Sequence, residues 1–173
     1  YGPPTPAHNE IKGWRGGGYT PDYEFKVDRT QGYRTPGSAL MRSRTENAVG
    51  SSAPLMQGFL AEHYRGSQLH LSAWMKSEGL TGSCRLWMKL YENQRLLLSA
   101  EAPPVTGTNE WTRREVVLDV DHKTNFALIG FTLAGAGAVW LADVEIENGR
   151  NDVPTADDDG LVPARPRNLS FLD

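Results

Sequence analysis

Residues 68–91, QLHLSAWMKSEGLTGSCRLWMKLY, contain two runs in which apolar and polar residues alternate, QLHLSAWMK (68–76) and CRLWMKLY (84–91). A period of two is the pattern of a half-buried strand, because successive side chains point to opposite faces. In the first run Leu69, Leu71, Ala73 and Met75 share one face, and His70, Ser72, Trp74 and Lys76 share the other. In the second, Leu86, Met88 and Leu90 oppose Arg85, Trp87, Lys89 and Tyr91. The intervening SEGLTGS reads as a hairpin that makes the two runs neighbours. Both tryptophans are then expected among the charges, on the side away from the core.

The run REVVLDV (114–120) extends the pattern: Val116, Leu118 and Val120 face the core and Glu115 joins the polar face. Trp74 and Trp87, bordered by His70, Arg85, Lys89 and Glu115 with Gln57 as a further polar contributor, would form an aromatic surface. An indole offers a flat apolar face suited to a sugar ring, while neighbouring polar groups bond the ligand's edges. A second reading stays open, in which Trp87 is covered by the N-terminal arm, with its KGWRGGGY, or by the C-terminal tail.

The same reading finds strands at 22–28, 38–44, 54–63, 94–100, 112–120, 126–133 and 138–147, separated by turn signals such as TPGS, YRGS and YENQ. FLAEH, at the end of the third run, is compatible with a helical turn. Short strands at regular intervals, without sustained helical periodicity, predict an all-β antiparallel sandwich or jelly roll. The uncharged stretch 126–142 imitates a membrane span, but AGAGA at its centre predicts two strands and a tight turn. Residues 1–150 are read as the sandwich with its proline- and glycine-rich N-terminal arm. Residues 151–173 are read as a polar linker and an apolar tail that either docks as a strand or begins a further domain. Tail docking onto a neighbouring copy would make a homo-oligomer. The opening at Tyr1 reads as a piece of something longer, and the compartment stays open.

A net charge of −3 offers no basic field for phosphates, which argues against a nucleic-acid partner. The lone Cys84 excludes an internal disulfide and a cysteine-built zinc site, and reads as a small buried apolar residue. The four histidines lack metalloprotease spacing, no nucleophile elbow or phosphate loop is present, and GAGAVW has Trp140 where a dinucleotide-binding loop needs its third glycine. A carboxylate pair such as Glu101 and Glu115 could in principle act as acid and base, but their separation is not written in the sequence.

Together GSALMRSR, LMQGFLAEHYRGSQLHLSAWMKSEGLTGSCRLWMKLY, TNEWTRREVVLDVD and AVWLADVEIENG resemble the galactose-binding-like jelly rolls, a group that includes many carbohydrate-binding modules. The likeness covers about residues 10–150. It rests on the YRG turn at 64–66, the strand 71–76, Trp111 with 116–120, and Asp143. It implies a non-catalytic accessory or sensor domain of a bacterial regulator or peptidase, binding a carbohydrate or other small molecule. It implies no organic cofactor. It gives grounds to look for a structural calcium ion, with Asp22, Asp28, Asp143 and the acidic run ADDDG (156–160) as the carboxylates. A structural or protein-interaction module is the competing class. One departure is plain: HNEIKGW stands where the group opens with an NLxFE-like strand, whereas the tail RNLSFLD looks more like that opening.

Overall fold

The computed structural model describes residues 8–9, 11–16, 22–44, 50–148 and 166–172, so the ADDDG run lies outside the described residues. The described residues form ten strands: β1 (His8–Asn9), β2 (Arg15–Gly16), β3 (Tyr23–Asp28), β4 (Ser38–Ser43), β5 (Ser52–Leu60), β6 (Gln68–Glu92), β7 (Arg95–Glu101), β8 (Val105–Asp119), β9 (Phe126–Ala134) and β10 (Ala138–Glu147). The FLAEH piece ends in a short 3-10 turn, Glu62–Tyr64. The uncharged stretch forms β9, a turn and β10, and no helix among the described residues is long and apolar enough to cross a membrane.

SEGLTGS is not a hairpin. Both runs belong to one 25-residue strand, β6. Its first half pairs with β10 on one side and β8 on the other, and its second half pairs with β9 and β7. Hydrogen bonding therefore runs unbroken through β1-β3-β4-β10-β6-β9-β5-β2, and β6 carries the chain from one layer of the sandwich into the other. All pairings are antiparallel except the short β1–β3 contact.

The crossing explains a change in the inward-facing positions. Odd-numbered residues, Leu69, Leu71, Ala73 and Met75, are buried in the first half of β6; even-numbered ones, Cys84, Leu86, Met88 and Leu90, are buried in the second. Register shifts against β8 between Ser77 and Cys84 absorb the difference. Irregular pairing of this kind bends a strand and lets it change sheets while its apolar side stays inward. Gly79 takes a left-handed φ of +63°, and a Cβ on Gly82 would stand 2.4 Å from the Ala134 carbonyl oxygen, so the bend needs glycine.

The core draws on both ends of the chain. Ile11 and Trp14, in the segment read as an arm, are buried, and so is Phe171 from the tail. Trp14 packs 5.1 Å from the Phe171 ring and 6.0 Å from that of Phe131, and its Nε1 donates to the Asn168 carbonyl at 3.0 Å. Residues 166–172 thus fold back on their own chain. They do so in turns and not as a strand, because Asn168 and Phe171 take left-handed φ values of +47° and +68°, which breaks an extended run. The Cys84 thiol is fully enclosed, and burial pushes its pKa up to about 12, which makes it an apolar filler in practice.

Asp28, at the end of β3, anchors the loop that follows. Its Oδ1 accepts from the Thr30 backbone N–H at 2.9 Å and the Thr30 hydroxyl at 2.6 Å, and its Oδ2 accepts from Trp140 Nε1 at 2.9 Å. Burial alone would raise this carboxyl's pKa; the bonds from Thr30 and Trp140 and the charge of Lys26 prevail and hold it below the ordinary carboxylate value. A depressed folded-state pKa adds stability that is present above the unfolded pKa, near 3.9, and is lost as pH falls through the folded value. Asp28→Asn is expected to cost about 1–2 kcal/mol at neutral pH. In urea melts between pH 2 and 7 the gap from the parent should be constant above about pH 5 and shrink in more acid solution. A gap that does not depend on pH would contradict the charged-acceptor role.

Candidate functional site

Because β6 crosses between layers, Trp74 and Trp87 look out from opposite sides of the sandwich, and the single aromatic surface expected from sequence divides in two. His70, Trp74 and Glu115 share the outer face of the β3-β4-β10-β6-β8 layer. Arg85, Trp87 and Lys89 line a cleft on the other layer. Gln57 is on neither surface. It faces inward with 3% of its surface exposed, its Nε2 donating to the Arg167 carbonyl at 2.7 Å and its Oε1 accepting from the Arg167 N–H at 2.8 Å. Its amide is spent on holding the tail, so it is corrected from a ligand contact to a tail anchor.

The Trp74 face is built by register. Trp74 stands between Ala142 of β10 and Arg113 of β8, and the small alanine leaves room beside the indole. Among the described residues, the indole's aromatic cover comes from the loop between β3 and β4. Tyr33, from the β3–β4 loop, stacks on it with centroids 3.9 Å apart and planes 15° from parallel, and Trp111 meets Tyr33 edge-on at 6.2 Å. Tyr33 is 44% exposed, so a phenol ring now presents the aromatic surface. The Arg34 guanidinium lies 6.0 Å from the Trp74 ring and pairs with Glu145 at 3.3 Å, while the Arg34 N–H donates to Asp143 Oδ2 at 2.8 Å. These contacts fix the loop over the sheet. Asp143 sits in a bulge of β10 at φ +50°, a left-handed position in which a short polar side chain is well tolerated.

Charges ring the aromatic cluster. Glu115 accepts from Arg113 at 2.8 Å and lies 3.4 Å from His70 Nδ1; the Arg113 bond first, then the His70 contact, lowers its carboxyl pKa. Lys76 reaches Gln31 at 3.2 Å and Glu110 at 3.8 Å and stands 6.0 Å over the Trp140 ring. Beyond Trp140 the same face opens into a cleft of about 720 Å³ lined by Leu40, Arg42, Arg44, Glu78 and Trp140. The face therefore combines an exposed aromatic ring, a second aromatic group at the cleft floor and paired charges of both signs. That composition suits a polyhydroxylated ligand with apolar C–H faces.

Tyr33, Arg34, Trp111 and Trp140 are the contributors that a reading of Trp74 as a ligand group overlooks. Tyr33 and Arg34 lie in QGYRTPGS, where TPGS signals only a turn; what the turn lands on is a tertiary matter. Of the candidate metal carboxylates, Asp22 accepts from the Ser51 hydroxyl at 3.3 Å, Asp28 from Thr30 and Trp140, and Asp143 from Arg34. No group of three or more metal-ligating side chains occurs among the described residues.

No family model matches the chain. It is 31% identical over 168 residues to an uncharacterized HTH-type transcriptional regulator, YbfP, of Bacillus subtilis (strain 168), an alignment that takes in 94% of this chain and 57% of the regulator. The chain thus spans little more than half the length of that relative. Among solved structures it resembles the CBM22-1 xylan-binding domain of Paenibacillus barcinonensis Xyn10C, with a TM-score of 0.57 and 12% identity over 82% of this chain and 88% of that one. It resembles TmCBM61 in complex with β-1,4-galactotriose, with a TM-score of 0.53 and 16% identity over 80% and 90%. A further likeness is to the enzymatically active domain of tailspike protein 4 of bacteriophage CBA120, with a TM-score of 0.61 and 16% identity, covering 81% of this chain and 20% of that one. At these identities the likeness is one of fold: an all-β jelly roll shared with carbohydrate-binding modules.

Proposed function

We propose that this chain is a non-catalytic carbohydrate-binding domain whose ligand lies on the outer face of the β10-β6-β8 layer. The observation that carries the reading is the exposed Tyr33 ring stacked on Trp74 among paired charges, beside the cleft at Trp140. A sugar ring would stack on Tyr33, and Arg113, Glu115, Arg34 and Glu145 would bond its hydroxyl groups. Solved structures of the same fold include xylan- and galactotriose-binding modules, which supports a glycan over another planar ligand. Calorimetric titration with xylohexaose, β-1,4-galactotriose and other neutral oligosaccharides tests this. One class should bind, and Tyr33→Ala should weaken it about tenfold or more, roughly 1.4 kcal/mol. Failure of every neutral glycan, or unchanged affinity in Tyr33→Ala and Trp74→Ala, would remove the site.

A second reading concerns the setting of the domain. The alignment with an HTH-type regulator over nearly the whole chain supports a sensor role, in which glycan binding is reported to a DNA-binding portion. In a full-length protein that carries both parts, saturating glycan should shift DNA affinity. No shift would leave an accessory or interaction role in its place.

A further inference from the structure

The opposite layer carries a cleft of its own. It measures about 740 Å³ and lies on the outer face of β5-β9-β6-β7. Its floor owes its form to a missing side chain: Gly130 of β9 stands opposite Trp87, and a Cβ there would fall 2.6 Å from Trp87 Cζ2. The indole therefore lies over the Gly130 backbone, with its Nε1 tied to the Thr132 hydroxyl at 2.9 Å. Met56, Pro54 and Leu128 continue the apolar floor.

Only 8% of Trp87 is exposed, and part of its cover is the Lys89 side chain, whose ammonium stands 5.2 Å from the ring centroid. A lysine stem is flexible, so this cover can swing aside, and its charge stays at the rim when it does. No carboxylate among the described residues pairs with Lys89. Arg85, on the other side of Trp87 along the same strand face, pairs with Glu101 at 3.1 Å through one nitrogen, which leaves the rest of its guanidinium fork for other acceptors. Ser99 lies opposite Lys89 in register and lines the same cleft, as does Ser52. With the Lys89 stem swung aside, the cleft presents a flat aromatic floor, hydroxyl groups and two cations against one carboxylate.

We infer that this second cleft binds an acidic saccharide, a uronate-bearing oligosaccharide, independently of the Tyr33 face. A hexuronate ring would lay its C–H face on Trp87 while its C6 carboxylate, projecting at the ring's edge, takes up Lys89 and the free side of Arg85. A neutral trisaccharide such as galactotriose lacks the group that both cations need.

Calorimetric titration of the intact chain with trigalacturonate and, separately, neutral galactotriose tests the site. Trigalacturonate should bind, more weakly as salt is raised. Lys89→Glu and Arg85→Gln should each reduce its affinity about tenfold or more, while Tyr33→Ala leaves it unchanged. Both side chains are at the surface, so unchanged far-UV circular dichroism will show that the variants fold; Trp87→Ala would leave a hollow over Gly130 and is not the deciding variant. Absence of trigalacturonate binding, or binding that Tyr33→Ala removes and Lys89→Glu does not, overturns the inference. Neither outcome bears on neutral glycans at the Tyr33 face.

Discussion

Replacing Phe171 with alanine should lower the stability of the domain by about 3–5 kcal/mol, the range for emptying a buried aromatic site. For a domain of this size that corresponds to a fall in Tm of roughly 6–20 °C. The side chain is fully enclosed, packed against Trp14, in a segment that also bonds Gln57 through Arg167 and Val144 through the Leu169 carbonyl at 3.3 Å. A cycle with Trp14→Ala should show the two changes to be non-additive by about 0.5–3 kcal/mol, because they share one contact. Thermal melts followed by circular dichroism give both values. If Phe171→Ala melts within about 2 °C of the parent, the tail is not part of the core and the domain ends before it.

The second large effect is expected at Gly130. A side chain there meets not only the indole of Trp87 but the Leu55 carbonyl oxygen at 2.7 Å and Met56 Cβ at 2.9 Å. The carbonyl belongs to the backbone of the paired strand β5 and cannot turn away as a flexible side chain would. Gly130→Val should therefore cost about 3 kcal/mol, at the upper end for overpacking, despite the small gain in strand propensity. It should also lift Trp87 from the sheet, which a red-shifted tryptophan emission and easier acrylamide quenching would report. Trigalacturonate affinity should fall in the same variant. An unchanged emission spectrum together with parental stability would mean that the indole does not lie on the Gly130 backbone.

The two outer faces also bear on how the domain is used. Tyr33 and Arg34 belong to a loop held at its start by Asp28 and at its centre by Asp143, so the Trp74 face is assembled from four separated stretches of chain, this loop, β6, β8 and β10, and responds to changes in any of them. The Trp87 cleft is built on paired strands and is correspondingly stiffer.

Much of this molecule is written in local pattern. Alternation assigned Leu69, Leu71, Met75, Leu86, Met88, Val116 and Val120 inward, and all are buried. AGAGA marked the turn between two strands where hydropathy alone suggested a span. Such assignments need only the two-residue repeat of a strand and the backbone preferences of glycine, which neighbours in the chain determine. Which side of the molecule an outward residue looks from is another matter. A strand does not encode its partners, so whether SEGLTGS turns back or crosses to the other layer depended on β8, β9 and β10 finding β6. That pairing sent Trp74 and Trp87 to opposite faces. It also took Gln57 and Phe171, separated by more than a hundred residues, into one buried junction, and it placed Tyr33 on Trp74. These outcomes are contacts between distant segments, selected by burial and hydrogen bonding in the closed sandwich, and no window along the chain contains them.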